Sequence, residues 1–263
     1  MDLWLGRIPK GTASRTGPGP LLTRKENERA EGIIVEEARV RYLWSRAALR
    51  CLLGSWLNLR PESLEIRQGE HGKPYLAGPT EQSSLPKFNL SHDGDVVLIG
   101  ISSRGEIGVD IALPREGSDP RVLAERFFLP EEAAELREHD DPARGFLRIW
   151  SAKEAFGKAL GIPIGIALVT SAFSEVPAAT EVRGDNLASI KGQGLGPETP
   201  ELEPLSPTKV FEPRYGSPGE WSGVRFRCGD AGWAAAMVWA QRVRFRVREV
   251  DVGKIVSEAV GRT

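Results

Sequence analysis

Apolar residues recur along the chain in short alternating runs, and in four regions give way to the wider spacing of amphipathic helices. Residues 3–8, LWLGRI, suit a first strand, and 64–67, LEIR, a second short one. From 26 to 57 the spacing is helical, with Ile33, Ile34, Ala38, Tyr42, Ala48, Leu49, Leu52, Leu53 and Trp56 as core positions. Between 88 and 112, strands are expected around polar turns at 91–95 and 102–106. Helices are expected at 120–127 and 130–138, the second opened by Pro130-Glu131-Glu132. A further helix carries Trp150 and stops at Gly161-Ile162-Pro163. Residues 164–173 read as strand and 183–220 as loops with short strands. GVRFRC and AAAMVWA read as a hairpin, and QRVRFRVREV as a half-exposed final strand with Arg242, Arg244, Arg246 and Arg248 on one face.

This order mixes helices with antiparallel strands in both halves, an α+β chain. Pro, Gly, Ser and Asp between 114 and 120 suggest a division into residues 1–118 and 119–263. Direct internal repetition is weak.

Composition narrows the function classes. With 35 basic and 36 acidic residues the formal net charge is −1, which gives no support to a general nucleic-acid binder. No run approaches the roughly 20 apolar residues of a membrane span, and no leader is visible, so a soluble cytoplasmic protein is expected. Cys51 and Cys228 read as core thiols of a reducing compartment.

The chemistry concentrates in two stretches. In GEIGVDIA, Asp110 faces opposite to Val109 and Ile111, and a carboxylate in so apolar a strand needs a partner or a metal. In WSAKEAFGKALG, Glu154 and Lys158 stand four residues apart on one helix face, which by itself also describes an ordinary helix ion pair. Gly157 and Gly161 beside them would admit a close neighbour. Ser91-His92 offers hydrogen bonds to phosphate oxygens without a nucleophile elbow, while a satisfied structural histidine stays open. Lys73 within Gly-Lys-Pro, and Arg39, Arg46 and Arg50 on the first helical stretch, read either as a turn and a solvated face or as phosphate ligands. Zinc clusters, Walker loops and dinucleotide glycine motifs do not occur, so a hard cation held by carboxylates, phosphate and water suits the residues best.

FNLSHDGDVVLIGI, GEIGVDIA and WSAKEAFGKALG, in this order, resemble the 4′-phosphopantetheinyl transferases, in the two-lobed type that activates peptide- and polyketide-synthase carriers. HGKPYL, RFFLPEEAAEL and RAALRCLLG extend the resemblance over roughly residues 40–165. It implies a pseudo-twofold monomer of two similar lobes, each with helices on a small antiparallel sheet, and an active cleft between them. Coenzyme A and Mg²⁺ would bind there, and the phosphopantetheine arm would pass to a serine of an apo acyl or peptidyl carrier protein, releasing adenosine 3′,5′-bisphosphate. Asp110 and Glu154 would hold the metal and Lys158 the pyrophosphate. Lys73, Ser91, His92 and Arg50 would bind the nucleotide side, a task that Arg39 or Arg46 would share; Lys153, beside Glu154, reads either as a phosphate contact or as a solvated lysine. Many members carry a second acid two residues after the strand aspartate; this chain has Ala112, and either water or a neighbouring acid, with Glu132 as the candidate, is expected to fill that position with weaker metal affinity. A non-catalytic binding module and an Mg²⁺-dependent nucleotide phosphohydrolase are the competing readings.

Overall fold

The computed structural model describes residues 1–9, 18–78, 85–175, 202–210, 220–228, 232–240 and 243–261. Expected loop residues at 10–17 and in most of 183–220, and Arg242, lie outside that set.

Strands β1 (Asp2–Arg7), β4 (Lys87–Asp93) and β5 (Val96–Ser102) form one sheet with β11 (Arg246–Asp251), in the order β11-β1-β5-β4. Its neighbours are antiparallel except β1 and β11, which run parallel. The second sheet is antiparallel, with order β6-β10-β9-β8-β7, where β6 is Ile107–Ala112, β7 Ser171–Glu175, β8 Leu202–Val210, β9 Ser222–Cys228 and β10 Gly232–Val238. β2 (Glu65–Gln68) and β3 (Pro74–Ala77) make a separate hairpin. The result is an α+β architecture with helices packed on small sheets. A cut at residue 118 does not separate the sheets, because β6 before it belongs to the second and β11 after it to the first.

Alternation explains the layering. Leu3, Leu5, Val96 and Leu98 of the first sheet meet Ile107, Val109, Ile111, Ala234 and Ala236 of the second in one buried layer. The intervening Val97, Ile99 and Ile101 turn to the opposite core, shared with α2 (Glu36–Leu57) and α7 (Val252–Val260). On the far side of the second sheet lies α5 (Pro142–Leu160), whose Ala152, Ala155, Phe156 and Ala159 pack on Ala235 and Met237. Gly108 of β6 makes this approach possible, since a Cβ there would run into the backbone of Ala155 and Ala159. Cys51 and Cys228 are buried and form no disulfide, and burial pushes the Cys228 thiol up to about 12, consistent with core thiols.

Local differences from the sequence expectation have physical causes. The single helix expected at 26–57 is two, α1 (Arg24–Glu31) and α2, broken at Gly32 and the β-branched run 33–35. Ile34 there is 96% exposed and Trp56 is 37% exposed, so neither is core. Residues 164–170 form helix α6 (Ile164–Thr170) after Pro163 at the N-cap, and strand begins only at Ser171. Two further helices, α3 (Pro120–Phe127) and α4 (Pro130–Glu138), fall where the pattern places them, as does the hairpin of β9 and β10. Among the described residues no helix is long and apolar enough to cross a membrane.

Candidate active site

β4 is an edge strand of the first sheet and β6 an edge strand of the second, and side chains join them. Asn89, Ser91 and Asp93 alternate along one face of β4 and accept the backbone N–H groups of Val109, Ile111 and Leu113 at 3.0, 3.3 and 2.9 Å. This is why β4 runs on through Asp93 where a turn was expected from residue 91.

Asp110 lies between these bonds, on the face of β6 turned towards α5. Its Oδ1 accepts from Ser91 Oγ at 3.0 Å and from Lys158 Nζ at 2.5 Å. Lys158 also donates to Ser91 Oγ at 3.0 Å. The other carboxylate oxygen, Oδ2, is buried and has no hydrogen-bond partner among the described residues. Burial raises the Asp110 pKa above the usual carboxylate range, and the Lys158 charge only partly opposes it. Glu154, one turn before Lys158 on α5, is also raised by burial, opposed by Lys158 and reinforced by the Asp110 charge. Helix α5 presents the pair from a defined frame: Asp141 caps its first turn, Pro142 follows, and Gly161 ends it in a left-handed conformation.

These groups line a cleft of about 440 Å³. One wall is polar, with Ser91, His92, Asp93, Asp110, Glu154 and Lys158. The other is apolar, with Leu113, Leu123, Phe127, Phe146, Leu147 and Trp150. Phe146 stacks on Trp150 with ring centroids 5.6 Å apart, so this wall is preformed. His92 also reaches a second cavity of about 770 Å³ that holds Lys25, Arg29, Tyr42, Arg46 and Arg67. Burial against the protein, then the Arg41 charge, lowers the His92 pKa.

Other expected site residues stand elsewhere. Arg50 is buried, with Nε on Glu26 at 2.8 Å and Nη1 on the carbonyls of Pro61 and Leu64, so it binds α1 and the α2 exit together rather than a nucleotide. Arg46 also bonds Glu26, at 2.6 Å, yet lines the basic cavity. Burial raises the Glu26 carboxyl but the Arg46 charge and the Thr23 backbone bond outweigh it, leaving the pKa low. Arg39 stands outside the lining of that cavity. Lys73 is held by Glu106 at 2.7 Å and by the Ala159 carbonyl at 2.6 Å, tying the β2–β3 hairpin to the end of α5. Lys153 and Glu132, expected at phosphate and metal, turn towards each other at 3.0 Å inside the protein. Lys153 is 0% exposed and also donates to the carbonyls of Leu168 and Ser171. It lies five residues before Lys158, on another face of α5, which is why only one of the two lysines reaches the cleft.

The substitute ligand expected from Glu132 is therefore not provided, and Ala112 packs with Leu147 and Trp233 in an apolar cluster. Among the described residues no group of three or more His, Cys, Asp and Glu side chains is disposed to hold a metal. What remains are two carboxylates, one with a buried free oxygen. That set suits a magnesium ion, which keeps several waters and takes substrate phosphates beside one or two carboxylates. Sequence reasoning missed Asp93, Lys25, Arg29 and the aromatic wall. The alternation Asn89-x-Ser91-x-Asp93 and the i,i+4 spacing of Lys25 and Arg29 were the available signals.

Fold and cleft define a two-sheet α+β protein with a carboxylate–lysine centre beside a cavity lined by Lys25, Arg29, Arg46 and Arg67, the last two paired with Glu26 and Glu65. Residues 106–192 match the 4′-phosphopantetheinyl transferase superfamily, and residues 19–104 match the 4′-phosphopantetheinyl transferase N-terminal family. The 4′-phosphopantetheinyl transferase AcpT of Salmonella typhi is 35% identical over 166 residues, covering 62% of this chain and 81% of that protein. HetI of Nostoc sp., a 4′-phosphopantetheinyl transferase, is 37% identical over 142 residues, 53% of this chain and 60% of the relative. A phosphopantetheinyl transferase of Thraustochytrium sp. is 35% identical over 167 residues, 58% of this chain and 57% of the relative. The chain thus spans about three fifths of the latter two, and it belongs to the 4′-phosphopantetheinyl transferase superfamily.

Proposed function

We propose that this chain is a transferase that moves the 4′-phosphopantetheine group of coenzyme A onto a serine of an apo acyl or peptidyl carrier protein. The observation that carries this reading is the convergence of Lys158 and Ser91 on Asp110 Oδ1, with Oδ2 buried and free and Glu154 one turn away in the same cleft.

Asp110 and Glu154 would hold Mg²⁺, which when bound offsets charge on the pyrophosphate. Lys158, hydrogen-bonded near the carboxylates, would donate to the phosphate oxygen on which charge grows as the leaving group departs. The carrier serine oxygen forms a bond to the phosphorus bearing the pantetheine arm. The bond from that phosphorus to the bridging oxygen breaks, and adenosine 3′,5′-bisphosphate leaves with the electron pair. Glu154, whose carboxyl burial holds above its usual range, would take the serine proton. His92, Lys25, Arg29 and Arg46 in the adjoining basic cavity would receive the nucleotide phosphate, with Tyr42 as an aromatic face beside it. The aromatic wall would line the path of the arm and keep water from the reacting phosphate. The two sides of the cleft would then be β4 and β6 on one hand and α3 and α5 on the other.

The test is intact-mass analysis of several apo carriers incubated with the protein, coenzyme A and Mg²⁺. A gain of about 340 Da, the calculated mass of the transferred group, is expected on at least one carrier and absent with Glu154→Gln. Coenzyme A binding without any mass gain would sink the transferase reading in favour of a binding module. Hydrolysis of coenzyme A without a carrier would favour the phosphohydrolase.

A further inference from the structure

We propose that Asn89, Ser91 and Asp93 form a positioning ladder that sets where the Asp110 carboxylate stands, and that Asp93 serves in it as a neutral-type hydrogen-bond acceptor. This rests on the proposed transferase reading of the same cleft.

β6 has two backbone edges. One pairs with β10; the other faces β4, which belongs to the other sheet. Backbone N–H groups on a buried edge need partners, and here three side chains supply them in place of a strand ladder. Because strand side chains alternate, a one-residue slip of β6 would exchange Asp110 with Val109 or Ile111, placing a carboxylate in the layer between the sheets. Three acceptors on alternate residues fix the register against that slip.

Ser91 carries the ladder into the chemistry. Its two lone pairs accept from Ile111 N–H and Lys158 Nζ, so its single proton goes to Asp110 Oδ1. That arrangement saturates Oδ1 and reserves Oδ2. Asp93 does not act as a third metal carboxylate: Oδ2 is taken by Leu113 N–H at 2.9 Å, and Oδ1 stands 3.8 Å from Arg115. Nor do Asp93, Asp110 and Glu154 make a metal-holding cluster among the described residues. In the ladder it is the Oδ2 acceptor that counts, while Oδ1 pairs with the exposed Arg115.

The test compares Asp93→Ala with Asp93→Asn in the full chain, using Mn²⁺ as the probe and electron paramagnetic resonance to count free ion. Asp93→Asn keeps an oxygen for Leu113 N–H; Asp93→Ala does not. Partners beyond the ligands of a metal site typically change affinity 10–100-fold, so Asp93→Ala should weaken Mn²⁺ about tenfold. It should lower kcat with the KM for coenzyme A within about twofold, and Asp93→Asn should restore both. Equal losses in the two variants would mean that charge matters and overturn the proposal. So would an Asp93→Ala protein with wild-type Mn²⁺ affinity, whatever its Tm. Should Asp93→Ala not fold, Ser91→Thr against Ser91→Ala reads the same ladder: the hydroxyl retained in Thr should hold Mn²⁺ within about threefold of wild type, and Ala should not. A Thr variant as weak as Ala would equally overturn it. A wild type that binds Mn²⁺ but modifies no carrier would instead remove the transferase reading while leaving the ladder measurable.

Discussion

Lys158 Nζ lies 2.5 Å from Asp110 Oδ1, across the seam where α5 covers β6, and Asp110 is nevertheless pushed towards its protonated form. Burial dominates because Asp110 sits on β6 between Val109 and Ile111, while Lys158 reaches it from α5 and is 31% exposed. A carboxyl whose folded pKa lies above its unfolded one contributes stability that is fully present below the unfolded pKa and lost as pH rises through the folded value. Urea unfolding from pH 4 to 7 should therefore show Asp110→Asn gaining stability relative to wild type as pH rises. The same variant should lose transfer by at least about 100-fold, the usual cost of removing one preorganised polar group. A stability difference that is flat with pH would contradict the assigned environment.

The other buried ion pair should behave differently. Lys153 and Glu132 link α5 to α4, and Lys153 also holds the carbonyls of Leu168 and Ser171. Removing one partner strands a buried charge, typically at about 3–5 kcal/mol, while an apolar replacement of both is often neutral. Glu132→Leu alone should lower the urea midpoint sharply, and Glu132→Leu with Lys153→Met should recover most of the loss. Mn²⁺ affinity per folded molecule should not change in either, because neither residue lines the cleft.

Much of the site was legible because it follows from local periodicity. Val109-Asp110-Ile111 tells which way Asp110 faces, and the four-residue spacing puts Glu154 and Lys158 on one helix face. Where the other candidate residues stand is decided by tertiary contacts. Arg50 and Arg46 bracket Glu26 only because α1 folds back on α2, and that contact turns a basic helix stripe into a buried clamp. Lys153 and Lys158 are chemically alike in sequence, and only the packing of α4 and α6 decides which is enclosed. The ladder from Asn89 to Asp93 needs two sheet edges to meet across 20 residues of chain, which no single-strand pattern reports.

Gly108 offers a test of how closely helix and strand must approach. Its missing side chain lets the backbone of Ala155 and Ala159 rest on β6, directly beside the acid–lysine pair. Gly108→Ala should cost about 1–3 kcal/mol by overpacking, read as a lowered urea midpoint. Because α5 must lift where it carries Glu154 and Lys158, kcat should also fall at temperatures where the variant is fully folded. Unchanged kcat with reduced stability would mean that the helix is displaced without moving the catalytic pair.

The basic cavity can be probed through its ligand as well as its residues. Lys25 and Arg29 belong to α1, four residues apart, and line the cavity that His92 shares with the acid cleft. Their removal leaves Glu26 with its Arg46 and Arg50 partners, so the fold should tolerate it. Lys25→Ala with Arg29→Ala should raise the KM for coenzyme A about tenfold, with little change in kcat, because the lost charges bind ground and transition states alike. Each charge-assisted contact to phosphate contributes more than a neutral one, which sets that scale. Coenzyme A lacking its 3′-phosphate should bind the wild type weakly, and the double variant should weaken it little further. If instead the variant penalised both ligands equally, these cations would be serving the pyrophosphate or the fold, and the nucleotide phosphate would have to be sought at Arg67 and His92.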